Sequence, residues 1–126
     1  MKVADAMTPR DAVVTAQLPG TRDDVLAHFQ ERSFSSVPVL KATDDGEEFR
    51  GLISRDDLIE RPDEDQLALL MREVPTTTRD TAVEALATEM LETGTRRIPV
   101  VDGGFEGIVT VTDVVRAIAD GDVEAD

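Results

Sequence analysis

Internal repetition constrains this chain more than any other feature. The segment Phe49-Arg-Gly51-Leu-Ile-Ser54-Arg-Asp-Asp57-Leu-Ile matches Phe105-Glu-Gly107-Ile-Val-Thr110-Val-Thr-Asp113-Val-Val position for position, 56 residues later. Upstream, Ser36-Val37-Pro38-Val39-Leu40 matches Arg97-Ile98-Pro99-Val100-Val101 at a spacing of 61, and Thr21-x-x-Asp24-Val-Leu26 matches Thr81-x-x-Glu84-Ala-Leu86 at 60. The spacing shrinks because the connection 41–48 is five residues longer than 102–104. Both connections carry Asp-Gly turn chemistry between apolar runs, the signature of a hairpin loop of variable length. A repeat of this size is one supersecondary unit written twice, and each copy must bury its apolar face against something.

The two copies share one grammar. Val13-Val14-Thr15 and Val74-Pro75-Thr76 read as short first strands. Amphipathic helices follow over 21–33 and 81–94, with Thr21/Asp24 and Thr81/Glu84 at capping-box spacing. Their apolar stripes are Val25, Leu26 and Phe29 in the first and Ala85, Leu86, Met90 and Leu91 in the second. Two β runs come next (37–40 and 49–53; 98–101 and 105–109), then a helix opening at Arg55 or Val111. The fold class expected is α/β (α+β): two β-α-β-β-α repeats. A single unit of about 55 residues has a marginal core, so the repeats are expected to pack sheet to sheet with pseudo-twofold symmetry. The division read from sequence is 1–62 for the first repeat and 63–120 for the second. Within the second, 63–73 (DEDQLALLMRE) is a linker helix around Leu67, Leu69 and Leu70, and 121–126 is an acidic tail expected to lie outside the fold.

Charge narrows the partners. The chain carries 27 acidic against 13 basic residues, a net charge of −14, and only Lys2 and Lys41 are lysines. Such a surface repels the phosphate backbone whose contacts supply most nucleic-acid affinity, so no nucleic acid is expected. It equally repels anionic membranes. No apolar run approaches the ~20 residues of a membrane helix, and Met1-Lys2-Val3-Ala4-Asp5 lacks the apolar core of a signal peptide. A soluble, cytoplasmic protein is expected. Low Lys with abundant Asp, Glu, Thr and Val is similar to proteins of salt-accumulating microbes, whose cytoplasm screens self-repulsion. The sequence contains no Cys, and therefore neither disulfides nor thiolate chemistry.

The residues that carry chemistry are Gly51-Leu-Ile-Ser54-x-x-Asp57 and Gly107-Ile-Val-Thr110-x-x-Asp113, each where a strand gives way to a helix. Ser/Thr-x-x-Asp is also a capping box, and a single copy reads first as a cap. Recurrence in the same slot, with Gly ahead of it both times, shifts the balance toward a ligand. The corner turns unsatisfied N–H groups outward, which suits an anion. A hydroxyl there can hold phosphate, while a carboxylate one turn in can accept ribose hydroxyls.

Ala6-Met7-Thr8-Pro9, the Val-Pro-Val and Ile-Pro-Val strands and the doubled corner together resemble the CBS domain, named for cystathionine β-synthase, over residues 1–120. The resemblance implies a tandem Bateman module whose two symmetry-related clefts bind adenosyl ligands such as AMP, ATP or S-adenosylmethionine, and an adenosine nucleotide of the AMP, ADP or ATP kind is the ligand expected here. It puts Asp57 and Asp113 on ribose hydroxyls, Ser54 and Thr110 near phosphate, Ser35, Ser36, Arg96 and Arg97 along the clefts, and Thr15 and Thr76 beside adenine. Arg96-Arg97 stands where the first copy has Ser35-Ser36, so the two clefts are expected to differ in charge. It further implies a homodimer, read onto Leu58, Ile59, Val114 and Val115, and an unidentified regulated protein.

The remaining candidates are weak. His28 is the only histidine and sits beside an apolar stripe, as a filler would. No His, Cys or acid grouping has metal-ligand spacing, and no Ser–His or Cys–His pair supports nucleophilic catalysis. Neither catalytic residues, nor a metal, nor a required cofactor is expected. The leading reading is a stand-alone, non-catalytic nucleotide sensor. The alternatives are an interaction module without ligand and a sensor of S-adenosylmethionine or NAD.

Overall fold

A computed structural model of the protein describes residues 1–31 and 36–125. In chain order the elements are α1 (Val3–Ala6), β1 (Thr8–Pro9), a 3-10 turn (Arg10–Ala12), β2 (Ala16–Leu18), α2 (Arg22–Glu31), β3 (Ser36–Thr43) and β4 (Gly46–Ser54). They continue with α3 (Arg55–Glu60), α4 (Leu67–Leu70), α5 (Val83–Thr93), β5 (Arg97–Val101), β6 (Phe105–Thr110) and α6 (Val111–Ala125). Among the described residues, no helix is long and apolar enough to cross a membrane.

These elements form two compact units, one spanning Val14–Val74, the other joining Met1–Val13 to the residues from Pro75 onward. Each unit therefore takes the short leading segment of the other sequence repeat. In the first unit β2 runs parallel to β3 (Ala16↔Val39), and β3 pairs antiparallel with β4. Val25 and Phe29 of α2, Val37, Val39 and Ile53 of the sheet, and Leu58 of α3 close the core. Leu67 and Leu70 of α4 complete it, both essentially inaccessible to solvent. A helix of four residues does not hold itself together. Here α4 is fastened by Leu67 N donating to Gly20 O at 3.1 Å and Arg22 N donating to Asp65 O at 2.7 Å. Beyond it, Arg72 exchanges both backbone hydrogen bonds with Leu52, each 2.9 Å, so that residue 72 extends the sheet at the edge of β4.

The second unit repeats the plan. β5 pairs antiparallel with β6, and β1 lies on the far edge of β6 (Thr8↔Ile108, Pro9↔Gly107). Thr77 takes the slot of the parallel strand, donating from N to Pro99 O at 3.0 Å and accepting at O from Val101 N at 2.8 Å. The core is Val83, Leu86 and Met90 of α5, Ile98, Val100 and Val109 of the sheet, Val114 and Ala117 of α6, and Val3 of α1. The leader is fastened as in the first unit, by Val3 N to Thr81 O at 2.8 Å and Val83 N to Met1 O at 3.0 Å.

Several local expectations shift. The first strands begin later than the Val-Val-Thr and Val-Pro-Thr runs, at Ala16 and at Thr77, the latter only an isolated bridge. The stripe of α5 is Val83, Leu86 and Met90, with Ala85 and Leu91 facing outward, because the helix starts at Val83 and 3.6 residues per turn carries the buried face on from there. Thr81/Glu84 forms no capping box: Ala82 is the N-cap, without a side-chain bond. At Thr21, half of the box exists, Thr21 N donating to Asp24 Oδ2 at 2.7 Å. The extra hairpin residues lengthen β3 and β4 rather than the loop, leaving an Asp44–Asp45 turn. The last helix runs on through residue 125, past the point where the sequence reading placed a tail outside the fold.

Candidate functional site

Both corners are built by the same local rule. Each hairpin ends by pairing the residue ahead of the Pro strand with the hydroxyl residue of the corner: Ser36↔Ser54 in the first unit, Arg97↔Thr110 in the second. Four of the sequence-derived site residues are thereby brought together two by two. Ser54 is the N-cap of α3, its Oγ accepting from Asp57 N at 3.3 Å, and Ser54 N donates to Asp57 Oδ2 at 2.8 Å. In the second unit Asp113 N donates to Thr110 Oγ1 at 3.1 Å and Thr110 N to Asp113 Oδ2 at 3.0 Å. Each motif is thus a complete capping box, with two orphan N–H groups of the helix start satisfied.

The glycines ahead of the corners have a steric cause. A Cβ on Gly51 would lie 2.8 Å from Arg72 O, and one on Gly107 would overlap Thr8 O. Both positions admit the backbone of a leading segment against the last strand. That proximity reveals two residues the sequence reading did not select for the site. Arg72 Nε sits 2.9 Å from Asp57 Oδ1, and Thr8 Oγ1 donates to Asp113 Oδ2 at 3.4 Å. Thr8 and Arg72 occupy matching places, each one residue beyond the methionines Met7 and Met71, which are 64 apart. That spacing was the available signal.

The remaining site residues are dispersed around these corners. Thr15 is half-buried just before β2, and Thr76 is exposed just before the Thr77 bridge. Ser36 Oγ is buried without a hydrogen-bond partner among the described residues. Arg97 is half-buried and Arg96 exposed. Ser35 lies outside the described residues. Near Arg96 an apolar groove of about 420 Å³ opens between α5 and α6, walled by Leu91, Val111, Val115 and Ile118. No group of three or more His, Cys, Asp or Glu that could hold a metal exists among the described residues.

A sequence model of the CBS domain matches residues 3–64 and again 67–120. The chain belongs to the CBS-domain family. Both matches begin at a leading segment, Val3 and Leu67, the two residues that close each other's repeat. Among solved structures, this CBS pair is similar to CBSX2 in complex with AMP, with a TM-score of 0.80 and 31% identity over 94% of this chain and 96% of that one. It is also similar to the CBS domain of a bacterial CNNM/CorC family Mg2+ transporter in complex with ATP, with a TM-score of 0.80 and 26% identity over 94% and 87%. An uncharacterised protein of Methanocaldococcus jannaschii, MJ0188, is 28% identical over 122 residues, 93% of this chain. The CBS pair spans 44% of that relative's length.

Proposed function

We propose that this CBS pair is a non-catalytic sensor that binds an adenosine nucleotide of the AMP, ADP or ATP kind at its strand-to-helix corners and passes its state to a partner protein. The observation that carries the reading is the Ser/Thr-x-x-Asp corner, built twice with the same geometry, in a chain 31% identical to a CBS protein whose structure holds AMP. The corner supplies a hydroxyl and helix N–H groups for phosphate and a carboxylate for ribose. Ser36 pairs with Ser54 in one unit and Arg97 with Thr110 in the other, so Ser36 and Arg97 lie beside their corners on the neighbouring strand. Thr15, Thr76, Ser35 and Arg96 are assigned to its margins by the family resemblance. A cytoplasm rich in salt is the setting that suits a net charge of −14.

A thermal-shift series in molar KCl with AMP, ADP, ATP, NAD and S-adenosylmethionine tests this. A ligand at a hundredfold its Kd stabilises by about 2.7 kcal/mol, which raises the melting temperature by several degrees. Adenosine nucleotides are expected to do so. A response to S-adenosylmethionine or NAD alone would reassign the ligand, and no response to any of the five would leave an interaction module without ligand.

The same reading includes a homodimer. Ile59 and Val115 are 73% and 60% exposed and Leu91 86% exposed, a costly display unless covered. Leu58 and Val114, also expected on that surface, instead belong to the cores of their own units, 6% and 4% exposed. Light scattering at tens of micromolar is expected to return twice the chain mass, and a Leu91→Glu/Val115→Glu variant to return the monomer.

A further inference from the structure

We infer that Arg72 latches the first corner shut and that one nucleotide binds per chain, at the Thr110–Asp113 corner; the inference rests on the proposed function and says which of its two sites is used. The two carboxylates are equivalent in sequence but not in what they hold. Asp57 is 7% exposed, and both of its oxygens are engaged. Oδ2 takes hydrogen bonds from Ser54 N at 2.8 Å and Ser54 Oγ at 2.9 Å. Oδ1 takes the Arg72 guanidinium at 2.9 Å. A ribose diol needs both oxygens of a carboxylate, so at Asp57 it must displace a charge-assisted bond.

At Asp113 the competition is far weaker. Oδ2 takes Thr110 N at 3.0 Å and the Thr8 hydroxyl at 3.4 Å, beyond the ordinary range for an O–H donor. Asp113 Oδ1 has no partner among the described residues, and the side chain is half-buried rather than buried. Arg97, facing Thr110, puts positive charge where the first unit has only the Ser36 hydroxyl. These differences favour the second corner, and the buried Ser36 Oγ of the first unit, without a partner among the described residues, stands against them.

The two leading segments hold their backbones through residues 8 and 72 alike, so exchanging those side chains tests the latch without touching either strand pairing. Isothermal titration with AMP at folding salt is expected to give one site per wild-type chain. Arg72→Thr, which copies the second corner, is expected to add a second site. Thr8→Arg, which copies the first, is expected to weaken the existing site by up to about fivefold, the equivalent of an ion pair with a largely exposed arginine. Two equal sites in the wild type, or a single unchanged site in Arg72→Thr, would overturn the latch and leave the nucleotide reading standing. No binding by wild type, Arg72→Thr or Thr8→Arg, with circular dichroism showing all three folded, would overturn both.

Discussion

Leu67→Ala is expected to destabilise the full chain by about 2–5 kcal/mol, the usual cost of emptying a fully buried leucine site. The loss should appear in the melting of the unit built from residues 14–74, although Leu67 follows the first repeat in sequence. Leu67 has no exposed surface and lies in a core formed otherwise by Ala16, Val25, Phe29, Val37, Val39, Ile53, Leu58 and Leu70. A unit of about sixty residues keeps little stability in reserve, and each kcal/mol lowers its midpoint by roughly 4–8 °C. Val3→Ala should do the same to the other unit on a smaller scale, since fewer methyl groups are lost. Leu69→Ala is the control: Leu69 is 52% exposed, and a surface change of this kind stays within about 0.5 kcal/mol. Equal melting of Leu67→Ala and Leu69→Ala chains would show that α4 does not complete the first core.

Asp113→Ala is expected to weaken AMP binding by about 10- to 100-fold, the equivalent of losing charge-assisted bonds worth roughly 1.5–3 kcal/mol. Asp57→Ala is expected to act on folding instead. It removes the capping box of α3, worth about 1 kcal/mol. It also breaks an ion pair whose Arg72 side is 63% exposed, worth at most about 1 kcal/mol more. A drop of several degrees in melting temperature with AMP affinity unchanged is therefore the expected outcome for Asp57→Ala. Paired measurements of affinity and melting temperature separate the two roles. If Asp113→Ala lost stability alone, its carboxylate would be a cap and the ligand would bind elsewhere.

Much of the architecture could be read from repetition because apolar runs and turn residues recur in order. The two hairpins and the helices after them fall within a few residues of their expected places. Less legible was anything held by tertiary contact. Thr77 joins the sheet through a single bridge, which no run of β-forming residues announces. Leu91 carries the same apolar signal as Met90, yet one is 86% and the other 5% exposed, because helix phase is set by where the first turn docks. At the corners the sequence supplied Ser54, Asp57, Thr110 and Asp113, since a cap and a phosphate-binding turn use the same residue types. It did not single out Arg72 or Thr8 as their partners, because these come from segments far from one corner or the other in the chain and meet them only through sheet pairing.

The exchanged leading segments have a consequence for assembly. A chain with one repeat that kept this exchange would complete its core by trading leaders with a second copy, as in a domain-swapped dimer, and its stability would fall on dilution. With two repeats in one chain, the trade takes place within a single molecule, at an effective concentration on the order of millimolar. Each unit's fold is then independent of how much protein is present, and self-association is left available for other uses.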